Sequence, residues 1–444
     1  MKKASKILSL LAVAAFLTAC DTRQKAPQVL SLDLSDAVAL FNGNCTTKGE
    51  ETDFNLYKTN ESGVTKRVHV KTKRSDDDKY FLENPIFTNF LEVSDEYFYL
   101  DVSYETNYFV NKKTGKALKV DGDYSFFHFS YWFDSTNPIR DFSKDAAGNL
   151  YGRVYDRKMK SDVLAKFTIT DKKVESESIG EVPPDDPDRD YFNGYAVDKD
   201  GNIAYFGKGV WKYVTVDKSI IPLRNIKGVW SGYDGEIYAY KNDGNIEKLS
   251  YDKDKNEVTS AVVGECPKLK DEDFINMKTL YIDKTEQIYV YTGKSDGDLT
   301  LYQIYGDNPV EKTYTPEDIS NTYDRRGYVY EYSHSSISCD EDCIYVTGFD
   351  GESYTVNKID TSKDMELTQI KYKVDYNDGT RFLNNKKMLI FWWGHDQIYD
   401  DKSDSLASMS VSILDLNTGK MSEQDPFLTG NSDRSSVINL KSYK

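Results

Sequence analysis

Apolar residues come in short runs that follow acidic or Asn-containing turns, and no long stretch repeats its apolar positions every three to four residues. That pattern predicts strands joined by tight turns. The runs open alike: Ser94-Asp95-Glu96-Tyr97-Phe98-Tyr99, then Asp145-Ala146-Ala147-Gly148-Asn149-Leu150-Tyr151, then Asp198-Lys199-Asp200-Gly201-Asn202-Ile203-Ala204 with Tyr205 one place later. Asp234-Gly235-Glu236-Ile237-Tyr238, Asp283 to Tyr289, Cys339 to Tyr345 and Asn384 to Leu389 continue the series. Measured between Tyr99, Tyr151, Ala204, Tyr238, Tyr289, Tyr345 and Leu389, the spacings are 52, 53, 34, 51, 56 and 44.

Each copy has a physical logic. Asp or Asn closes the turn through its own backbone, Gly accepts positive φ, and the aromatic packs on a pleated face. Hairpin signals follow at Asn111–Gly115, Asn242–Asn245 and Leu416–Gly419. Repeats of about 40–50 residues made of short strands predict an all-β fold, a β-propeller of seven to eight four-stranded blades. Residues 28–75 hold further strand-like runs at Val29–Leu34, Phe54–Thr59 and Val64–Lys71, enough for one more blade. Single helical turns fit only at Ser35 to Phe41 and Pro316 to Asn321. The spacing of 34 requires a blade with minimal loops or a misplaced reference point. Tandem β-sandwich domains are the rival architecture, since they also carry closely spaced strands.

The N-terminus reads as an address. Lys2, Lys3 and Lys6 precede an apolar run from Ile7 to Leu17, too short for the about 20 residues that span a bilayer. It ends in Leu17-Thr18-Ala19-Cys20, which resembles the lipobox of bacterial lipoproteins. The resemblance implies cleavage before Cys20 and a diacylglycerol on its thiol. It divides the chain into a leader (1–19), the lipidated Cys20 with a short linker (20–28) and one propeller domain (29–444). Asp21 resembles the signal that retains some lipoproteins on the inner membrane, a rule that varies between phyla. The expected location is the bacterial cell envelope, tethered to a membrane on its periplasmic side or at the cell surface. The turn-and-tyrosine pattern in turn resembles bacterial propeller lipoproteins of the NHL, TolB-like and quinoprotein-like kinds. That likeness covers most of the mature chain and implies a fold, not an activity.

Charge narrows the partners. The 444 residues carry a formal net charge of −16, and the leader holds three lysines and no acid, so its removal leaves −19. An acidic body lacks the electropositive face that phosphates need, which argues against nucleic acid. It is also repelled by anionic headgroups and should stand off the membrane. With 34 Tyr against 7 Met, the composition leans towards strands.

Chemistry is sparse. No Gly-x-Ser-x-Gly, His-Glu-x-x-His, Gly-x4-Gly-Lys-Ser/Thr or Gly-x-Gly-x-x-Gly motif occurs, and the four histidines are scattered. Neither a catalytic set, a metal site nor a cofactor is implied. Asp198-Lys-Asp200-Gly-Asn202 and Asp252-Lys-Asp254-Lys-Asn256 begin like calcium loops but lack the Gly at position six and the Glu at position twelve, so turns are expected. Cys339 and Cys343 flank a turn; a three-residue hairpin there would set them face to face for a disulfide, with a redox or metal site as the alternative. Cys45 and Cys266 are left as a second candidate pair. Pro183 to Asp190 forms a stiff acidic loop, and Lys66, Arg67, Lys71, Lys73 and Arg74 a basic stretch expected on an edge strand.

Aromatic density is the strongest functional signal. Tyr124 to Phe133 includes His128 and Trp132, Tyr328, Tyr330 and Tyr332 alternate, and Trp392-Trp393-Gly394-His395-Asp396 closes another run. These residues are either buried strands between blades or a binding surface. His128, Trp132, Trp392, Trp393, His395 and Asp396 are therefore the candidate ligand-binding residues. The expected function is a lipid-anchored envelope propeller that binds or scaffolds a protein or glycan partner. The alternative is an envelope enzyme, a glycan-active hydrolase or lyase or a lactonase-like hydrolase, with its site at the propeller axis.

Overall fold

The computed structural model describes residues 28–47, 50–73, 87–102, 106–122, 124–125, 142–182, 194–232, 234–265, 277–282, 287–293, 299–303, 310–320, 337–339, 343–349, 352–374, 376–383, 386–393, 408–422, 425–428 and 437–440. Their regular structure is strand, apart from one 3-10 turn at Thr361–Lys363. Eight antiparallel sheets, each four strands deep, follow one another along the chain.

Blade 1 contains β2 (Ala37–Thr47), β3 (Glu50–Asn60) and β4 (Thr65–Arg67), while β1 (Gln28–Leu32) pairs with β5 (Val70–Lys73) outside it. Blade 2 is β6 (Phe87–Glu92), β7 (Tyr97–Val102), β8 (Thr106–Asn111) and β9 (Ala117–Lys119). In blade 3 the first position is shared by β10 (Tyr124–Ser125) and β11 (Phe142–Lys144), both paired to β12 (Leu150–Asp156), with β13 (Ser161–Ile169) and β14 (Val174–Glu181) beyond. Blade 4 is β15 (Tyr195–Val197), β16 (Ile203–Gly207), β17 (Val210–Val214) and β18 (Ile220–Pro222). Blade 5 is β19 (Ile226–Ser231), β20 (Ile237–Lys241), β21 (Asn245–Asp252) and β22 (Glu257–Glu265). Blade 6 comprises β23 (Met277–Ile282), β24 (Gln287–Gly293), β25 (Leu299–Gln303) and β26 (Val310–Tyr314). Blade 7 comprises β27 (Ile337–Cys339), β28 (Cys343–Phe349), β29 (Tyr354–Asp360) and β30 (Glu366–Tyr372). Blade 8 comprises β31 (Tyr376–Leu383), β32 (Lys387–Trp393), β33 (Ser408–Asp415) and β34 (Asp425–Leu428).

The last strand, β35 (Val437–Asn439), does not extend blade 8. It pairs antiparallel with β2, Leu40 opposite Ile438, and becomes the innermost strand of blade 1. The first blade is thus built from both ends of the chain, and the ring is closed. Sheets packed face to face around such a ring are a β-propeller, here with eight blades. A tandem β-sandwich has no place for that pairing.

Apolar seams between the blades hold the ring together. Leu40, Leu56 and Ile438 of blade 1 pack with Phe90, Phe98 and Tyr108 of blade 2. Tyr99 and Phe109 meet Phe142 and Val154 of blade 3. Leu301 of blade 6 meets Ile344 and Val346 of blade 7, and Tyr345 meets Met388 and Ile390 of blade 8. Leu389 and Val411 pack on Ala39 and Phe41, closing the circle at blade 1. Each such Val, Leu, Ile, Phe or Met side chain, fully buried, contributes about 1.5–3 kcal/mol. Polar latches assist: Asn357 Nδ2 donates to Ile319 O at 2.6 Å and Val346 O at 3.1 Å, tying the turn after β26 to blade 7.

The seven sequence reference points all fall on the second strand of a blade, from Tyr99 in β7 to Leu389 in β32. The spacing of 34 has a simple cause. Blade 4 has strands of 3, 5, 5 and 3 residues and reaches blade 5 through residues 223–225.

Three local expectations are corrected. Ser35 to Phe41 is no helical turn, because Ala37 onward enters β2, where Ala39, Leu40 and Phe41 are buried between strands. Val29–Leu34 supplies no blade strand: β1 lies across the seam of blades 1 and 2, with Val29 N–H on the Tyr108 hydroxyl at 3.1 Å and Leu32 N–H on Gly115 O at 2.9 Å. Gly115 has φ +68, and a Cβ there would stand 1.9 Å from Leu32 O, so only glycine admits this strap. Third, the ladder sets Cys339 opposite Ile344, not Cys343, so the three-residue hairpin expected between the two cysteines is not the one formed. Cys343 itself is buried.

Candidate binding face and the ring of aspartate turns

Antiparallel blades put alternate connections on opposite faces. One face carries the turns between first and second strands, where the repeated aspartates lie. In blade 3, Asp145 Oδ1 accepts from Asn149 N–H at 2.8 Å, and Oδ2 accepts from Asn149 Nδ2 at 2.7 Å and the Tyr151 hydroxyl at 2.9 Å. In blade 4, Asp198 accepts from Asp200 N–H, Asn202 N–H, Asn202 Nδ2 and the Tyr213 hydroxyl, between 2.8 and 3.0 Å. In blade 5, Asp234 accepts from Glu236 N–H at 3.1 Å, the Tyr238 hydroxyl at 2.8 Å and Lys248 Nζ at 2.8 Å. Blade 2 makes the turn with Ser94, whose Oγ accepts from Glu96 and Tyr97 N–H.

The electrostatics follow from burial and partners. Burial pushes the Asp198 carboxyl above the ordinary range, against the hydrogen bonds of Asn202 and Tyr213. Burial, aided by the adjacent Asp198 carboxylate, drives the Tyr213 hydroxyl strongly upward. Burial also opposes ionisation of Asp234, but Lys248, Tyr238 and Glu236 N–H outweigh it and hold its carboxyl low. A carboxylate whose oxygens are engaged in this way serves the turn, not a cation or a substrate. Asp252 of the second calcium-like stretch is likewise bound to Asp254 and Lys255 N–H, with Lys255 Nζ at 3.0 Å.

Neighbouring turns also join. Ala146 N–H donates to Lys199 O at 2.9 Å, and Lys199 N–H donates to Gly235 O at 2.6 Å. Lys199 Nζ reaches Glu236 at 2.5 Å, and Lys144 Nζ reaches Glu96 at 3.4 Å. Turn is linked to turn across blades 2 to 5. Sequence reading found the aspartates but missed Tyr213, Lys248 and Lys199. The available signal for Tyr213 was the alanine at 204, where five of the other six copies carry tyrosine.

The opposite face receives the connections between second and third strands and those between blades. In sequence, residues 183–193 lie between β14 of blade 3 and β15 of blade 4, and residues 394–407 between β32 and β33. Two strands share the innermost position of blade 3, Ser125 pairing with Tyr155 and Phe142 with Gly152. Trp392 and Trp393 belong to β32, opposite Asn377 and Tyr376. His128, Trp132, His395, Asp396, Cys20 and Cys266 lie outside the described residues, as do Tyr328, Tyr330 and Tyr332; Cys45 is placed in β2 and Cys339 in β27 by backbone alone. Of the basic stretch, Lys66 and Arg67 fall on β4, the outer edge of blade 1, and Lys71 and Lys73 on β5, while Arg74 lies outside the described residues.

At the seam of blades 8 and 1, on the aspartate-turn side, a cavity of about 710 Å³ is lined by Glu61, Lys387, Ile413, Asp415, Lys420 and Met421. Its charges are largely self-satisfied: Lys387 Nζ lies 3.7 Å from Glu61, and Asp415 accepts from Asn417 and Thr418 N–H and the Thr418 hydroxyl. Among the described residues no three His, Cys, Asp or Glu side chains cluster as metal ligands would.

No family model matches the chain, and no curated protein matches it. Solved structures similar to it include the periplasmic gluconolactonase of Pseudomonas aeruginosa, at 11% identity over 90% of this chain and 98% of the other, with a TM-score of 0.39. A eukaryotic initiation factor is 9% identical over 92% and 99%, with a TM-score of 0.41. The PQQ-bound form of an aldose sugar dehydrogenase from Streptomyces coelicolor is 10% identical over 73% and 92%, with a TM-score of 0.30. Likenesses this distant carry no activity to this chain. The propeller class stands on its own sheets and seams.

Proposed function

We propose that this chain is a lipid-anchored β-propeller of the bacterial cell envelope that binds a protein or glycan partner through the face opposite the aspartate turns. The observation that carries the reading is that two strands, β10 and β11, share the innermost position of blade 3. In sequence His128 and Trp132 lie between them. Innermost strands line the axis, where propellers receive ligands, and aromatic side chains supply most of the energy of such contacts. In sequence, His395 and Asp396 follow directly on Trp393, the last residue of β32. The aspartate turns favour this division of labour, since their carboxylates are consumed in holding the ring. Cys20 within its lipobox supports the tether, and the acidic body supports a stand-off from anionic lipid.

Photo-cross-linking in intact cells tests the reading. A photoreactive residue at Trp132 or Trp393 should trap the same partner, and one at Ser62, on the aspartate-turn side, should not. Trapping from Ser62 alone, or equally from all three, would contradict the assignment of the face. Hydrolysis of a lactone or glycan by the purified chain, abolished in His395→Ala, would replace binding with catalysis.

A further inference from the structure

An outer strand of a blade exposes a row of unpaired backbone groups, and propellers must blunt eight of them. Seven described outer strands are blunted. β4 is Thr-Lys-Arg and β9 is Ala-Leu-Lys, three residues each, and the equally short β18 ends in Pro222. Glu175, Glu177 and Glu181 punctuate β14, Glu311 and Lys312 sit within β26, Glu366 and Lys371 within β30, and β34 contains Pro426.

β22 is the exception. It runs nine residues, and its interior reads Val-Thr-Ser-Ala-Val-Val-Gly, without charge or proline. Thr259, Ser260, Ala261 and Val262 are exposed, Val262 at 61%. Its inner edge is engaged with β21, from Asp252 opposite Glu257 to Asn245 opposite Glu265, and among the described residues no further strand pairs with it. β-Branched residues at Val258, Thr259, Val262 and Val263 favour the extended backbone that a docking strand would need.

We propose that the free edge of β22 captures an extended segment of a partner protein by strand addition, and that the segment is flanked by basic residues. The charge follows from the ends of the strand, Glu257 and Glu265, on a chain of net charge −16. A second copy is disfavoured on the same ground: antiparallel self-pairing about Ala261 sets Glu257 against Glu265 at both ends. This edge lies on the rim of blade 5, apart from the loop-bearing face, so the proposal stands whichever partner that face takes.

The test uses residues 21–444 and a fluorescein-labelled peptide, Lys-Val-Thr-Val-Thr-Val-Thr-Val-Lys. Anisotropy should show saturable binding, weakened about tenfold or more when alternate peptide amides are N-methylated, which keeps the charge and removes the donors. Val262→Lys should weaken binding similarly, whereas Val210→Lys, at another exposed valine, should not. Hydrogen exchange should slow within 257–265 on adding peptide. No binding, equal binding of the methylated peptide, or protection confined elsewhere would overturn the proposal.

Discussion

Ala204 lies directly opposite Tyr213 in the ladder of β16 and β17, and the Tyr213 hydroxyl donates to Asp198 at 3.0 Å. In blade 3 the corresponding pair is Tyr151 and Lys166, and in blade 5 it is Tyr238 and Lys248, with the tyrosine on the second strand. Blade 4 has moved the tyrosine one strand outward, and the small side chain at 204 leaves room for it. The aspartate is served in all three.

Removing that hydroxyl leaves a buried carboxylate short of one donor. Tyr213→Phe should therefore cost about 1–3 kcal/mol in denaturant unfolding. Tyr213→Lys should cost at least as much, and the exchange Ala204→Tyr with Tyr213→Lys, which copies blades 3 and 5, should recover half or more of the loss. A double variant no more stable than Tyr213→Lys would show that the two arrangements are not equivalent.

Close approach between turns makes a second prediction. Gly235 has φ +75, and a Cβ there would stand 2.9 Å from Lys199 Cβ; Gly209 has φ +80 with nothing within 4 Å. Gly235→Ala should cost about 1–3 kcal/mol and Gly209→Ala about 1 kcal/mol or less, since both strain the backbone but only one also crowds a neighbour. Equal losses would remove the inter-turn contact from the account.

Asp234 and Asp198 should respond oppositely to acid. The Asp234 carboxyl is held low in the fold, so its contribution is present above the ordinary carboxylate value and lost as pH falls through the folded one. The Asp198 carboxyl is raised by burial, so its charge costs stability at neutral pH and acid relieves that cost. In melting series from about pH 6 to pH 3, the deficit of Asp234→Asn should shrink and that of Asp198→Asn should grow. Parallel deficits would contradict both assignments.

Much of the fold was legible because each blade restates one local rule. In blades 2 to 5 a turn led by Ser or Asp precedes a second strand of buried aromatic and aliphatic residues. The innermost strand of blade 1 escaped because it comes from the far end of the chain, and nothing local in Val437–Asn439 announces a partner at residues 39–41. Ser35 to Phe41 misled for a related reason: its apolar residues are buried between strands on both faces, and such a run has no alternation to read. The geometry between Cys339 and Cys343 depended on a loop length that a one-residue change of register alters. The aromatic candidates were visible as composition, whereas their convergence depends on which strands meet at the axis.

The proposed tether makes its own prediction. Cys20→Ala should move the protein from the membrane fraction to the soluble fraction and abolish incorporation of labelled palmitate. Unchanged fractionation would refute lipidation at this residue.

Ring closure is the central structural claim, and a cross-link across it is the most direct measurement. Ala39 and Asn439 are paired in the ladder of β2 and β35. With Ala39→Cys and Asn439→Cys introduced together, oxidative refolding should give a monomer whose digest yields a disulfide-linked peptide pair containing positions 39 and 439. A monomer with both thiols unlinked to each other, or linkage only between molecules, would contradict closure of the propeller by its last strand.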